Sequence, residues 1–285
     1  MINKALGVAL SVAFLGVPAV SSQTIFGAAY NGPGAPATLY RISPVNGAAT
    51  FVGSIGAATV SGMAFGLDGV SLYGVGLTGA GFALLRINTS TGAGTAIGLT
   101  TLSAPCQDIA FRFDGRLFCY SLGEIYTLST TTGAATLVGD TGNFLDGNAL
   151  AFSSGNILYS ANQVELDSIN QSTGAVTLVV PLNYSPAFGV GESRASAMKF
   201  HLNGTLYASV ITGSPPATSA SLGIINISTG AVTRVGPTTF GMDALAISAQ
   251  TITPSPVPVP SSWLLVAIGL ALVVLYKTRK RRPQS

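Results

Sequence analysis

Few residues in this chain have the chemistry for catalysis or metal binding. It holds 10 Asp and Glu, 13 Lys and Arg, one His and two Cys in 285 residues. A single histidine, His201, cannot build a His-based metal site, and its place beside Asn203-Gly204 suits a surface turn residue. No nucleophile motif, phosphate loop, Cys/His metal spacing or close pair of carboxylates occurs. Asp68 and Asp114 fall in hairpin turns. The sequence therefore predicts no enzyme activity, no metal and no cofactor. One arrangement does invite a ligand: Ser61, Gln107, Asn148, Ser196 and Asp243 recur at an equivalent position ahead of a repeated short strand. In a ring of such strands they would enter a central channel as a circle of hydrogen-bonding groups. That circle could hold a sugar, another polar ligand, or a cation near Asp243 and Asp108; the alternative is a water-filled mouth that satisfies backbone groups.

The elements that would position this circle are legible as a repeat. Ile109 to Tyr120 reads as two short strands folded about Asp114-Gly115. Met63-Ala64-Phe65 to Leu72-Tyr73, Leu150-Ala151-Phe152 to Leu158-Tyr159, and Met198-Lys199-Phe200 to Leu206-Tyr207 repeat it. Four short strands recur five times between Ile25 and Ser248, about 45 residues per unit, the length of a β-propeller blade. The first strand of each unit carries an aromatic and a small residue, Phe26-Gly27 being the first copy. The second ends in an aliphatic and a polar residue, such as Ile42-Ser43 or Ile87-Asn88, whose side chain caps a turn closed by Gly four residues later. The third alternates Thr with an aliphatic, as in Thr50 and Val52, and the fourth is the Ala-Phe element. Because the chain begins after a hairpin turn and ends before one, Ile25-Phe26 must pair with Asp243 to Ser248 if the ring closes. Closure removes the open edges that an incomplete array would expose. Two irregular links, Pro181 to Arg194 and Thr212 to Ala220, are the places where a binding surface would sit on a regular scaffold.

The cysteines are ambiguous. A two-residue Asp114-Gly115 turn puts Cys119 opposite Ala110 and Cys106 opposite Gly123. That mismatch of four residues is about 13 Å, against roughly 4 to 7 Å between α-carbons in a disulfide. Two buried free thiols are the expectation; the Cys106–Cys119 disulfide is the alternative if the chain turns back before its strand.

The positive excess lies at the ends. Overall the formal charge is +3, but between residues 23 and 259 seven Lys or Arg stand against all ten acids, a net of −3. A mildly acidic domain lacks the basic stripe that nucleic-acid binding requires. Charged residues make up only 8% of the chain, against roughly 25% in ordinary soluble domains, and small hydroxyl and glycine residues replace them.

Residues 1–22 carry Lys4, an apolar run and the small residues Ala19-Val20-Ser21-Ser22, the layout of a cleavable export signal. After the propeller, residues 23–248, come a Pro-rich linker over 249–262, an apolar helix over 263–276 and a basic tail over 277–285. Ser261 to Tyr276 would span about 24 Å as a helix, short of the roughly 30 Å of a bilayer core, so local thinning and snorkelling of Lys277 must cover the difference. This three-part end, about 30 residues, resembles the sorting signal of PEP-CTERM proteins: Val257-Pro258-Val259-Pro260-Ser261-Ser262-Trp263 fills the motif, with Val259 where Glu is usual. The resemblance implies an exosortase-type transpeptidase as partner, membrane anchoring of the precursor through its C-terminal helix, and a destination at the cell surface or in the extracellular matrix. An ordinary single-pass anchor has the same layout. The repeat itself resembles the NHL and YVTN propeller classes, a likeness of architecture. The expected protein is an all-β, five-bladed, exported scaffold or adhesion module in contact with extracellular polysaccharide. The rival is a propeller that binds or cleaves carbohydrate through the polar ring, with Asp108 and Asp243 as its acids.

Overall fold

The computed structural model describes residues 23–142, 149–189, 192–213 and 218–248. The export signal, the sorting motif Val257 to Trp263 and the apolar helix all lie outside them. Among the described residues no helix is long and apolar enough to cross a membrane.

Five four-stranded antiparallel sheets form the blades of a propeller. The first blade contains β1 (Ile25–Ala29), β2 (Thr38–Ile42) and β3 (Ala49–Ser54); the second β4 (Thr59–Phe65), β5 (Leu72–Thr78), β6 (Gly81–Ile87) and β7 (Gly94–Leu99). The third holds β8 (Asp108–Phe111), β9 (Leu117–Ser121), β10 (Glu124–Leu128) and β11 (Ala135–Asp140), and the fourth β12 (Ala149–Phe152), β13 (Leu158–Ala161), β14 (Glu165–Ile169) and β15 (Val176–Pro181). The fifth is β16 (Ser193–Phe200), β17 (Leu206–Thr212), β18 (Ser219–Ile225) and β19 (Val232–Pro237), after which β20 (Met242–Ile247) completes the first blade. As the phase of the repeat requires, β20 pairs with β1, Ile25 opposite Ile247 and Gly27 opposite Leu245. The first and last described strands are thus joined in one sheet by main-chain bonds, and the first blade is completed to four strands like the others.

The core lies between blades rather than within one. Phe26, Leu39 and Ala246 of the first blade bury against Met63, Leu72 and Ile87 of the second, and four similar clusters fill the other joints. The two aromatic signatures of the repeat are partners across these joints. Phe26 meets Phe65, Tyr73 meets Phe111, Phe118 meets Phe152 and Tyr159 meets Phe200, with ring centroids 5.2 to 5.8 Å apart, within the range of favourable aromatic pairs. At the fifth joint the second ring is replaced by Ile247, which shares a cluster with Tyr207.

The outer turns bring blades into backbone contact. Asn88 Oδ1 accepts from the N–H groups of Ser90 and Thr91, and Gly92 N–H donates to Asn88 O. Asn170 and Asn226 cap their turns in the same way. Gly92, at φ +80°, packs against Gly53 at the end of β3 in the preceding blade, where a Cβ on Gly92 would stand 2.5 Å from the Gly53 carbonyl carbon. Gly98, Gly139 and Gly236 make the same approach to the turns at Gly133, Gly174 and Gly47. This contact is the physical reason for a Gly at the end of the third strand. In the fourth unit, which lacks it, the Pro181 carbonyl meets Gly230 instead.

The cysteine expectation is overturned. Cys106 and Cys119 are disulfide-bonded, with α-carbons 5.5 Å apart. Two features defeat the hairpin arithmetic. Phe111 pairs with Leu117, Arg112 N–H bonds Arg116 O, and Gly115 takes φ +88°. The turn is therefore a three-residue connection with a left-handed last residue, and Cys119 faces Ile109. Cys106 precedes β8, and Gln107 N–H bonds Tyr120 O although Tyr120 already faces Asp108, so the chain folds back toward Cys119.

Candidate functional site

Three members of the polar circle reach the channel mouth through β-bulges. In β4 the register passes from Val60 to Gly62, in β16 from Ala195 to Ala197, and in β20 from Ala244 to Met242. The skipped residues are Ser61, Ser196 and Asp243. A bulge leaves its extra residue out of the ladder and re-aims the side chain. With Gln107 these three line a cavity of about 750 Å³ at the start of the inner strands; the fifth member, Asn148, lies outside the described residues. Ser61 Oγ donates to Cys106 O at 2.5 Å, and Ser196 Oγ to Ser209 O at 3.4 Å. Gln107 Oε1 is enclosed without a hydrogen-bond partner among the described residues.

Side chains outside the repeat complete the wall. Tyr30, Pro33, Pro105, Phe240 and Arg194 border the cavity, with Ile211 and Thr218 from the β17–β18 hairpin. Both irregular links therefore end at the mouth. The first is held by Tyr184, whose hydroxyl donates to Asn162 O at 2.5 Å and accepts from Ala195 N–H at 3.0 Å; burial holds that phenol well above its usual value. The disulfide anchors the Pro105-Cys106-Gln107 side.

Deeper in the channel the structure corrects the role of Asp108. It is fully buried and absent from the cavity wall. Lys199 Nζ donates to both its carboxylate oxygens, at 2.9 and 2.7 Å, and to Leu150 O and Met198 O at 3.0 and 2.8 Å. Asp108 also accepts from the N–H groups of Ile109, Leu150 and Met198 at 2.8, 2.9 and 3.3 Å. Innermost strands have one unpaired edge, so their buried N–H and C=O groups need partners. This pair supplies them and ties three blades together. Burial pushes Asp108 up to about 6 against the pull of Lys199, and burial pushes Lys199 down. An acid so bonded cannot serve as the sugar-cleaving carboxylate of the rival reading or as a cation ligand at the mouth.

Beyond this plug the other end of the channel holds a cavity of about 300 Å³ lined by Ala64, Ala110, Ala151, Lys199 and Ile247. Gln23 lines it too, so both ends of the described chain lie at this face, opposite the mouth. His201 caps its turn there, its Nδ1 accepting from Asn203 N–H at 3.3 Å, with its ring 6.2 Å from that of Tyr207. Among the described residues no three His, Cys, Asp or Glu converge to hold a metal ion.

Sequence comparison yields no matching family model and no matching curated protein. Solved structures do resemble the chain. A chain from the crystal structure of a nidogen/laminin complex superposes with a TM-score of 0.52 over 80% of this chain and 99% of its own, at 12% identity. TolB from Acinetobacter baumannii gives a TM-score of 0.47 at 15% identity, over 78% of this chain and 54% of its own. At 12% identity the nidogen/laminin likeness is one of fold alone, in keeping with the five four-stranded sheets and the β20–β1 pairing that make this chain an all-β, five-bladed propeller with a closed ring.

Proposed function

We propose that this chain is an exported, non-enzymatic surface or matrix protein whose propeller serves as an adhesion or scaffold module. The observation that carries the reading is the Cys106–Cys119 disulfide. Such bonds persist where chains fold under oxidising conditions, outside the reducing cytoplasm. The export signal over residues 1–22 supplies the route, and the Val257 to Trp263 segment with the apolar run behind it supplies a sorting signal for an exosortase-type transpeptidase.

The test is mass spectrometry of the native C-terminus, recovered from envelope and medium of the host. Cleavage near Pro258 to Trp263 with the disulfide intact is the expected result. A full-length chain ending at Ser285, confined to membranes, overturns sorting; quantitative alkylation of Cys106 and Cys119 without reduction overturns export.

A further inference from the structure

We propose that the channel mouth is a binding site for a neutral saccharide, one or two pyranose rings of a longer glycan. The proposal names a ligand class for the adhesion reading and rests on that reading only for the source of the glycan.

Three independent features make the mouth a site rather than a gap between blades. Its volume, about 750 Å³, falls in the range of small-ligand sites, roughly 300 to 1,000 Å³. Bulges in three of the five inner strands turn polar side chains into it, at Ser61, Ser196 and Asp243. At its wall Gln107 presents an enclosed amide oxygen that no described protein group satisfies, and a buried acceptor left unmatched is costly unless a ligand or water donates to it.

The lining selects the ligand. Its surface is largely apolar, with the aromatic rings of Tyr30 and Phe240 at the rim and prolines beside them; Phe240 is 56% exposed. A pyranose offers the complementary surface, with C–H faces for aromatic rings and hydroxyls around its edge that donate to and accept from amides, Ser and Thr. One acid, Asp243, and one base, Arg194, are the charged residues of the described wall, so the lining carries no net charge to attract an ionic ligand. Glycoside hydrolysis by the common routes needs two carboxylates flanking the bond. With Asp108 locked to Lys199 the described wall holds one, which fits binding without cleavage.

The experiment uses the full chain, purified in a detergent without a sugar headgroup, and titrates cellohexaose, laminarihexaose, maltohexaose and chitohexaose, with hexagalacturonate as the anionic comparison. Calorimetry and saturation-transfer NMR read the binding. The expected result is millimolar or tighter binding of at least one neutral hexasaccharide, weakened at least tenfold in Gln107→Ala and in Phe240→Ala at unchanged melting temperature, with the ligand intact after incubation. Binding of hexagalacturonate alone, no binding of any neutral probe below 10 mM, or binding unaffected by both substitutions overturns the proposal. Those failures leave the C-terminal cleavage and the disulfide untouched, so they do not count against export and sorting.

Discussion

The Asp108–Lys199 pair gives the sharpest test of how the ring is held. At equivalent positions the other inner strands carry Gly62, Ala149, Ala197 and Ala244 for Asp108, and Ala64, Ala110, Ala151 and Ala246 for Lys199. Asp108→Ala and Lys199→Ala therefore install the small residue of the neighbouring copies and introduce no new bulk. At 2.7 to 2.9 Å, opposite charges attract by about 6 kcal/mol gross in a medium of effective dielectric near 20. Removing one partner strands the other in a dry channel, a loss of about 3 to 5 kcal/mol, or about 10 °C in melting temperature for a domain of this size. Lys199→Ala leaves the Asp108 carboxylate three backbone N–H donors and the option of taking up a proton, which caps its cost. Asp108→Ala leaves the ammonium two carbonyls. In the double variant both desolvation costs vanish, and what remains is the unmet edge of β12 and β16. The double variant is expected to lose less than either single one. Urea unfolding followed by far-ultraviolet circular dichroism, with the disulfide intact and the slope unchanged, measures all four proteins. Losses in the two single variants that simply add up in the double would refute the reasoning.

Further outcomes follow from individual contacts. Asp108 is held above its ordinary value, so the folded state binds its proton more tightly than the unfolded chain does. The stability this contributes is full below about 3.8, is lost as pH rises through about 6, and disappears from the pH profile of Asp108→Ala, as equilibrium unfolding across that window will show. Replacing both cysteines by Ser opens a loop of sequence separation 13 and should cost about 3 kcal/mol, read as a lower urea midpoint. Gly53→Ala drives a methyl into the Thr91 carbonyl, whereas a Cβ on Gly79 meets nothing within 4 Å. The first should lose about 1 to 3 kcal/mol, while the second stays neutral or gains up to about 1 kcal/mol, by the same melts.

How much of this was legible depended on whether a feature repeats. Strand pairing, blade number and ring closure follow from five copies of one pattern, because register and burial are written in each copy and errors in one are corrected by the others. Four members of the polar column, Ser61, Gln107, Ser196 and Asp243, line the mouth, and bulges aim three of them, at Ser61, Ser196 and Asp243. What the repeat hid were single departures. Lys199 stands in a column of alanines, and that oddity was the available signal for a buried ion pair with Asp108, 91 residues away. Tyr30 and Phe240 reach the mouth from loops with no counterpart in other units, and Arg194 from the extended start of β16, so no periodicity announces them. The disulfide was missed because one added residue in the Asp114 turn shifts every facing pair by one, and because the backward fold before β8 is a tertiary feature without a sequence mark.

The departures also sort by joint, and this suggests how the ring tolerates its own seam. Four joints carry an aromatic pair, and the fifth, between the last blade and the shared first one, has Ile247 where the others have Phe. That joint lies against β20, whose ladder to β1 joins the two ends of the propeller chain. An aromatic pair is worth about 0.5 to 1.5 kcal/mol beyond its burial, whereas the β20–β1 ladder brings several main-chain bonds at about 1 kcal/mol each. The seam can therefore forgo its ring contact and stay closed. The charged plug bonds inner-edge groups of the third, fourth and fifth blades, at Ile109, Leu150 and Met198. Ile247→Phe should then add packing at the seam without being needed for closure, raising the melting temperature by a few degrees at most; a gain comparable to the loss in Lys199→Ala would mean that the seam, not the plug, limits the ring.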